Sequence, residues 1–182
     1  MSYCLHKTVA MVGMMGAGKT AIGQAVARKL NVPFLDSDTE IVAAANMSIP
    51  EIFARDGEAF FRRKEAQVIA RLLEEERAIL STGGGAFLNA DNRALIAQRG
   101  VAVWLRADLD VLWARVRHKD TRPLLRTSDP YGTLAALLKS RVPAYAEAAL
   151  VVDAQLDYSI AQMAERVIEA LLTRPDVLEK TA

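Results

Sequence analysis

The sequence predicts an α/β fold in which helices cover a central parallel β-sheet. Short runs of apolar and β-branched residues alternate with longer stretches of helical periodicity, and a glycine-rich segment stands between the first run and the first such stretch. Alternation of this kind is typical of parallel sheets, because the chain needs a crossover connection, usually a helix, to return to the same edge of the sheet.

The elements can be assigned in chain order from these patterns. The predicted strands are 8–12, 33–35, 78–80, 101–105 and 150–152. The predicted helices are 19–30, 58–76 and 157–172, each with apolar residues on one face. Asp157 is the expected N-cap of the last helix, and the polar tail 173–182 is expected to fray.

Composition limits the class of protein. The chain has 182 residues, with 23 Lys and Arg against 22 Asp and Glu and a formal net charge of +1. These values predict a single domain over 1–182 with small molecules as partners, because proteins that bind nucleic acid or anionic membranes usually carry strongly basic faces. No apolar run approaches the roughly 20 residues of a membrane span, and there is no signal-peptide pattern. The single cysteine, Cys4, excludes an internal disulfide, and the cytoplasm is the expected location.

The most specific signal is the segment 13–20, Gly-Met-Met-Gly-Ala-Gly-Lys-Thr, which fits the phosphate-loop pattern G-x-x-x-x-G-K-[ST]. Its glycines allow the backbone to curl so that N–H groups point at phosphate oxygens, and the following helix adds its positive dipole end. Lys19 is expected to reach the β- and γ-phosphates, and the Thr20 hydroxyl to bind Mg²⁺. Ala21 lacks the hydroxyl that many phosphate loops carry at this position and that contacts the α-phosphate.

Phosphate loops occur in GTPases, remodelling ATPases and small-molecule kinases, so other residues must decide between these classes. The chain has no Asn-Lys-x-Asp element for guanine and no apolar strand ending in Asp-Glu. Instead, Asp36 and Asp38 follow the second predicted strand, at the edge where ligands of open α/β sheets bind. On one strand they share a face, so that one can serve Mg²⁺ and the other a substrate hydroxyl as general base. The alternative is a solvated turn in which Asp38 caps the next helix.

Further motifs follow in a fixed order. They are Asp-Ser-Asp at 36–38, Gly-Glu-Ala-Phe-Phe-Arg-Arg-Lys-Glu at 57–65, Ser-Thr-Gly-Gly-Gly at 81–85, Arg-Pro-Leu-Leu at 122–125 and Arg-Val-Pro-Ala-Tyr at 141–145. With the phosphate loop, and in this order and spacing, they closely resemble the shikimate kinase family over about 8–172. The resemblance implies a three-layer phosphate-loop kinase fold whose five parallel strands, counted along the chain, have the order 2-3-1-4-5.

The resemblance also implies a reaction, the transfer of the γ-phosphoryl group of ATP to the 3-hydroxyl of shikimate in the pathway to chorismate and the aromatic amino acids. ATP and Mg²⁺ are the implied cofactors, and the implied assembly is a monomer. The implied catalytic residues are Lys19, Asp38 and Arg122. The implied ligand contacts are Gly16, Ala17, Gly18, Lys19, Thr20, Ala21, Arg115 and Arg122 for ATP, Asp38, Arg62, Gly84 and Arg141 for shikimate, and Thr20 and Asp36 for Mg²⁺.

The side chains suit these implied roles. Guanidinium groups such as those of Arg62 and Arg141 bind carboxylates through paired N–H donors. Glu65 follows Arg62 at a helical i,i+3 spacing and can steer its guanidinium. The glycines at 83–85 permit a close approach of the backbone, and the resemblance assigns the Gly84 backbone to a shikimate hydroxyl. The alternatives are that Arg62 is one charge of an amphipathic helix and that the glycines form a plain tight turn.

The segment 115–126 is rich in Arg and Lys and shows little helix or strand periodicity. It is predicted to belong to a lid, about 116–130, that closes over ATP, excludes water and brings Arg122 to the transferring phosphoryl group. A substrate-binding region is expected at about 38–65, and Arg115 resembles a residue that stacks near adenine. The plain alternative for the lid is a solvated loop or a nucleic-acid patch. Two other functions stay open, namely a kinase for another small hydroxy acid such as gluconate and a catalytically silent nucleotide-binding module.

Overall fold

The computed structural model describes residues 2–75, 77–118 and 125–182. The strands are β1 (Ser2–Leu5), β2 (Thr8–Val12), β3 (Phe34–Asp36), β4 (Ile79–Ser81), β5 (Gly100–Ala107), β6 (Leu150–Ala154) and β7 (Leu178–Thr181). The helices are α1 (Lys19–Leu30), α2 (Ser37–Ala45), α3 (Ile49–Glu75), α4 (Ala90–Arg99), α5 (Leu109–Val116), α6 (Pro130–Tyr145) and α7 (Ile160–Leu172), with a short 3-10 helix at Ala86–Leu88. None of the helices in the described ranges is both long enough and apolar enough to cross a membrane.

The larger sheet has five parallel strands in the order β3-β4-β2-β5-β6. Counted along the predicted strands, this is the order 2-3-1-4-5, so the predicted fold is confirmed. Every predicted strand overlaps an observed one, with ends that differ by at most two residues. Ser81 pairs with Met11 on one side and with Asp36 on the other, so the carboxyl ends of β2, β3 and β4 lie next to each other.

Helices flank this sheet and bury most of its apolar side chains. Strand β2 is buried along its whole length, as expected for a parallel strand that is covered on both faces. Helix α1 packs against α7, and α3 packs against α2 and α4. A second, smaller core joins α2 and α3 to β4. Its buried members are Ile41, Ile52, Phe61, Val68, Leu72 and Leu80. This core anchors most of the region 38–65 on the edge of the sheet that carries the aspartates.

The predicted helix at 58–76 is the second half of a longer one. Helix α3 turns sharply at Gly57, where φ is 84° and ψ is 170°. This backbone conformation is strained for other residues and accessible to glycine. The turn lets both halves of α3 line one cavity, the first half with Phe53 and the second with Arg62 and Glu65.

The start of α7 differs from the predicted one. The helix begins at Ile160, and its N-cap is Ser159 instead of the expected Asp157. The Ser159 hydroxyl accepts the N–H of Gln162 at 3.1 Å, and the Gln162 side chain accepts the N–H of Ser159 at 2.8 Å. Ser159 prevails because it has a glutamine three residues later, which completes a capping box, and Asp157 has no such partner.

The two ends of the chain form a second sheet, which the sequence did not predict. Strands β1 and β7 pair in antiparallel fashion, with Leu5 opposite Leu178. The expectation that the tail 173–182 frays is therefore wrong, and Val177 and Leu178 are 0% and 1% exposed. The N–H of His6 also donates to the carbonyl of Val177 at 2.8 Å. These contacts fasten the tail to the start of the chain.

We expect Leu178→Ala to lower the free energy of unfolding by about 2–4 kcal/mol, because it removes a buried side chain and leaves a cavity. Lys180→Ala is the matched control on the exposed part of the same strand and should change the free energy by less than about 0.5 kcal/mol. Urea unfolding followed by circular dichroism measures both variants. Equal effects of the two substitutions would contradict the packing of β7 against the core.

Candidate active site

A cavity of about 690 Å³ opens at the carboxyl ends of β2, β3 and β4. Most of the site residues predicted from the sequence line it. They are Gly16, Gly18, Lys19, Thr20, Ala21, Asp36, Asp38, Arg62, Gly84, Arg115 and Arg141. The side chain of Ala17 is fully buried within the phosphate loop. The predicted lid arginine, Arg122, lies outside the described residues together with the rest of 119–124.

The phosphate loop leads directly into α1. Gly16 and Gly18 have φ values of 83° and 96°, which favour glycine. A Cβ atom on Gly16 would lie 2.7 Å from Cγ1 of Val116, so the close packing of the loop on α5 also requires a glycine. Within the described chain no side chain caps α1, and its first turn has no acidic residue. The N–H groups at this helix start are therefore suited to an anionic ligand.

Lys19 is held inside the phosphate loop. Its Nζ donates to the carbonyl oxygens of Gly13 and Met14 at 2.6 and 3.2 Å. Its positive charge also lowers the pKa of Asp38, so the ammonium group is within electrostatic reach of that carboxyl group. Phosphate oxygens would be stronger acceptors for this ammonium than the two carbonyls.

Arg115 contacts the phosphate loop directly. Its Nη1 donates to the carbonyl oxygens of Gly16 and Ala17, both at 3.1 Å. These bonds connect α5 to the loop backbone and hold the loop in place. The predicted stacking of Arg115 near adenine stays a prediction, and it can be separated experimentally from this contact with the loop.

We expect Arg115→Ala to weaken ADP binding about three- to tenfold, because the substitution removes two hydrogen bonds that hold the phosphate loop. Binding of inorganic tripolyphosphate should weaken by a similar factor, since this ligand has phosphates but no base. Lys139→Ala, which removes an exposed cation from α6 outside the cavity, is the control and should leave both affinities unchanged. Isothermal titration calorimetry measures them, and a loss confined to ADP would favour stacking on adenine instead.

Asp36 and Asp38 both line the cavity, although not through the geometry predicted for them. Strand β3 ends at Asp36 and α2 begins at Ser37, so the two aspartates do not share the face of one strand. The alternative, in which Asp38 is the cap, is also wrong. Oδ1 of Asp36 accepts the N–H groups of Asp38 and Thr39 at 2.9 and 3.3 Å, so that Asp36 caps α2. The cap fixes Asp38 in the first helical turn beside it.

The environment of Asp38 alters its acidity. Burial raises the pKa of Asp38 above its ordinary value, and the negative charge of Asp36 adds to this rise. The positive charges of Lys19 and Arg62 act in the opposite direction. A partly desolvated carboxyl group in a cleft, between another carboxylate and two cations, is typical of a residue that takes part in proton transfer.

The predicted contact between Arg62 and Glu65 is present. Nη1 of Arg62 donates to Oε1 of Glu65 at 2.9 Å, and the Glu65 side chain is 1% exposed against 33% for Arg62. Burial raises the pKa of Glu65, and the nearby Arg62 charge opposes the rise. Glu58 approaches the same guanidinium at 3.6 Å from an exposed position. Glu65 therefore holds the Arg62 guanidinium from its buried side. The exposed side of this guanidinium faces the cavity.

Arg141 is the second guanidinium group at the cavity and is 8% exposed. Within the described residues it has no carboxylate partner. A Cβ atom on Gly84 would lie 3.0 Å from Nη1 of Arg141, and one on Gly85 would lie 2.5 Å from both terminal nitrogens of Arg62. The two guanidinium groups thus approach neighbouring glycines, and larger residues there would displace them.

Some side chains that support or line the cavity were not predicted from the sequence, and two of them bond to its glycine segment. The Ser37 hydroxyl accepts the N–H of Gly83 at 3.2 Å, and the Tyr145 hydroxyl donates to the carbonyl of Gly84 at 2.7 Å. Phe53 lines the cavity beside a second aromatic ring. Ser37 and Tyr145 lie inside motifs that were recognised, so their positions were a signal that could have been used. Phe53 lies in a stretch without a predicted helix, and the sequence contained no signal for its position at the cavity.

Comparison with known proteins agrees with this geometry. The family model described as shikimate kinase matches residues 15–172. A shikimate kinase from Ruegeria pomeroyi is 69% identical over 175 residues, which are 96% of this chain and 90% of that protein. A solved structure of shikimate kinase from Acinetobacter baumannii in complex with shikimate has a TM-score of 0.85 at 35% identity and covers 92% of this chain and 93% of its own.

The same comparison bears on the alternative of a gluconate kinase. A gluconokinase from Sinorhizobium meliloti 1021 covers 94% of both chains with a TM-score of 0.57, but at 16% identity this likeness shows the fold alone. The family model, in contrast, matches most of the chain, and the curated relative is similar over nearly its whole length. The chain therefore belongs to the shikimate kinase family.

Proposed function

We propose that this chain transfers the γ-phosphoryl group of ATP to the 3-hydroxyl of shikimate, giving 3-phosphoshikimate and ADP. One observation carries the proposal: Arg141 is buried without a carboxylate partner among the described residues, in the cavity that also contains the phosphate loop. A buried cation is costly unless an anion pairs with it. The carboxylate of shikimate supplies this anion, and Arg62 and Arg141 can bind it through paired N–H donors.

The hydroxyl groups of shikimate need hydrogen-bond acceptors and donors close to this clamp. Asp38 supplies carboxylate oxygens, and the glycine segment 83–85 supplies backbone N–H groups on the same cavity wall. We assign the attacking 3-hydroxyl to Asp38 and a second hydroxyl to the Gly84 backbone. A cavity with a cationic side and a polar side suits a small hydroxylated acid.

ATP is proposed to bind with its phosphates in the phosphate loop, next to the shikimate site. The loop offers backbone N–H groups and the Lys19 ammonium for the β- and γ-phosphates. The proposed contacts are Gly16, Ala17, Gly18, Lys19, Thr20, Ala21 and Arg115, with Arg122 added from the lid. The hydrogen bonds from Arg115 to the loop support its place in this group.

Mg²⁺ is proposed to bind beside the phosphates through Thr20 and Asp36. The residues fit this ion, because a hydroxyl and a carboxylate are hard oxygen ligands, and Asp36 uses only Oδ1 to cap α2. No three His, Cys, Asp or Glu residues of the described ranges form a cage for a metal. This agrees with an ion that takes most of its ligands from phosphates and water. When bound, the ion would neutralise phosphate charge.

In the transfer step, Asp38 would orient the 3-hydroxyl of shikimate and accept its proton. A bond forms between this oxygen and the γ-phosphorus, while the bond from the γ-phosphorus to the bridging oxygen of ADP breaks. Lys19 would stabilise the negative charge on the phosphoryl oxygens, and Arg122 is proposed to add a second cation as the lid closes. Positioning and charge stabilisation account for catalysis of this kind.

The remaining expectations complete the proposal. We propose a single domain over 1–182, in which the substrate region at 38–65 and the lid at 116–130 move relative to the rest. We further propose a cytoplasmic monomer whose partners are ATP and shikimate, without nucleic acid or membrane. The formal net charge of +1 supports this choice of partners. Size-exclusion chromatography with light scattering tests the monomer.

The decisive experiment for function is a coupled assay of ADP release with Mg·ATP and either shikimate, gluconate or no acceptor. We expect turnover with shikimate alone. Turnover with gluconate and not with shikimate would instead assign the chain to another small hydroxy acid. Binding of ATP without turnover on either acceptor would favour the silent nucleotide-binding module and contradict the proposed reaction.

A further inference from the structure

In the glycine segment 83–85, some backbone groups have hydrogen-bond partners in the structure and others do not. The N–H of Gly83 donates to the Ser37 hydroxyl at 3.2 Å, and the carbonyl of Gly84 accepts from the Tyr145 hydroxyl at 2.7 Å. Within the described residues, the N–H groups of Gly84 and Gly85 have no hydrogen-bond partner. The segment lines the cavity, so these two N–H groups are the donors that it can offer to a ligand.

The bonded carbonyls determine where these donors point. In a trans peptide the C=O of one residue and the N–H of the next point in opposite directions. The carbonyl of Gly83 accepts the N–H of Ala86 at 3.1 Å, which directs the Gly84 N–H away from the following 3-10 helix. The carbonyl of Gly84 is held by Tyr145, which directs the Gly85 N–H away from α6. Each free donor is thus oriented by a bond on the opposite side of its own peptide.

The surroundings of Tyr145 maintain its hydrogen bond to the Gly84 carbonyl. Its side chain is 0% exposed, and its ring lies 5.9 Å from that of Trp104 between centroids. Burial raises the pKa of the Tyr145 hydroxyl, and the charge of Arg141 and a side-chain hydrogen bond from Arg141 oppose the rise without cancelling it. The hydroxyl therefore remains protonated and can donate at neutral pH. Arg141 and Tyr145 are one helical turn apart on α6. The same turn therefore carries a guanidinium group proposed to bind the substrate carboxylate and the hydroxyl group that bonds to the glycine backbone.

We propose that Tyr145 is a positioning residue. Its hydrogen bond to the Gly84 carbonyl holds the Gly84–Gly85 peptide so that the N–H of Gly85 is available to a hydroxyl group of the substrate, next to the Gly84 N–H. Its link to α6 also fixes the spacing between this backbone and Arg141, and hence between the hydroxyl and carboxylate subsites. The part of the proposal that names the substrate rests on the proposed function. The part that concerns the orientation of the peptide is independent of it.

The kinetic test compares Tyr145→Phe with Thr8→Val. Tyr145→Phe keeps the ring and removes only the hydroxyl, and we expect the shikimate KM to rise about three- to tenfold while the ATP KM changes less than about twofold. Thr8 is the matched control, since it is 2% exposed and its hydroxyl accepts the N–H of Ala78 at 3.2 Å at the other end of β2. Thr8→Val should leave both KM values unchanged. An unchanged shikimate KM in Tyr145→Phe, or an equal change in both variants, overturns the proposal.

A second measurement does not depend on turnover. The chain has 10 glycines, so ¹⁵N-glycine labelling gives a simple amide spectrum of the ligand-free protein. Tyr145→Phe should shift the signals of Gly84 and Gly85 and leave those of Gly100 and Gly132 in place. If the wild-type chain does not phosphorylate shikimate, the proposed function fails and this spectrum alone decides on the positioning role. Unmoved Gly84 and Gly85 signals would then overturn it.

Discussion

Asp38→Asn is expected to lower kcat by about two to four orders of magnitude, the range attributed to a general base. Asparagine has the same shape and can still hydrogen-bond to the 3-hydroxyl of shikimate, but it cannot accept its proton. The affinity for ATP should change far less, because Asp38 lies on α2 and not on the phosphate loop. Steady-state kinetics with each substrate varied in turn measures both effects.

The same substitution should raise the Tm of the ligand-free protein at neutral pH. Burial, and then the charge of Asp36, raise the pKa of Asp38, so the folded chain holds this proton to higher pH than the unfolded chain. The contribution of Asp38 to stability is therefore complete below its unfolded pKa and is lost as the pH rises through the folded pKa. Asparagine does not ionise and avoids this loss. The difference in Tm between Asp38→Asn and wild type should accordingly shrink as the pH falls.

Glu40→Gln is the matched control, because it removes another carboxylate from α2 at a position that pairs with Arg71 at 3.3 Å. It should change kcat by less than about twofold. An Asp38→Asn enzyme that keeps most of its kcat would remove Asp38 from the role of base. An equal loss of ATP binding and of turnover would show that the residue acts through the nucleotide site instead.

The fold could be predicted because its signals are local. Each strand of the larger sheet contains a short run of apolar residues. Parallel strands need helical crossovers, so the alternation is visible in the sequence. The small sheet gives no such signal. Strand β7 has one buried residue, Leu178, followed by exposed polar residues, and its partner β1 lies at the other end of the chain. Pairing between such distant short segments depends on tertiary packing, which periodicity does not reveal.

In the candidate site, too, some features could be predicted from the sequence and others could not. The residue types were predictable because phosphate, carboxylate and hydroxyl groups require particular partners. The backbone geometry was not, as the two aspartates demonstrate: Asp36 becomes an N-cap and ends the strand, and this places Asp38 on a helix. The motif at 141–145 marked Tyr145, but the sequence did not show that its hydroxyl bonds to the carbonyl of Gly84. Contacts of side chains with the backbone of other elements emerge only from the fold.

The shikimate KM is expected to rise about 100-fold in Arg141→Ala, the largest change in substrate binding that we expect, since truncation of a buried charge that pairs with a ligand typically costs 2–5 kcal/mol. Arg62→Ala should raise it less. Arg62 is 33% exposed and already shares its charge with Glu65 at 2.9 Å, whereas Arg141 is 8% exposed and has no carboxylate partner among the described residues. Arg141→Lys should recover part of the loss, because lysine keeps the charge but not the paired donors.

Lys139→Ala is the control for this series, since it removes an exposed cation from the same helix. It should leave the shikimate KM within about twofold of wild type, because exposed charges contribute little. The ATP KM should stay constant in all four variants. If Arg62→Ala proved more damaging than Arg141→Ala, the carboxylate would lie closer to α3 than to α6. The buried guanidinium of Arg141 would then require another anion in the same cavity.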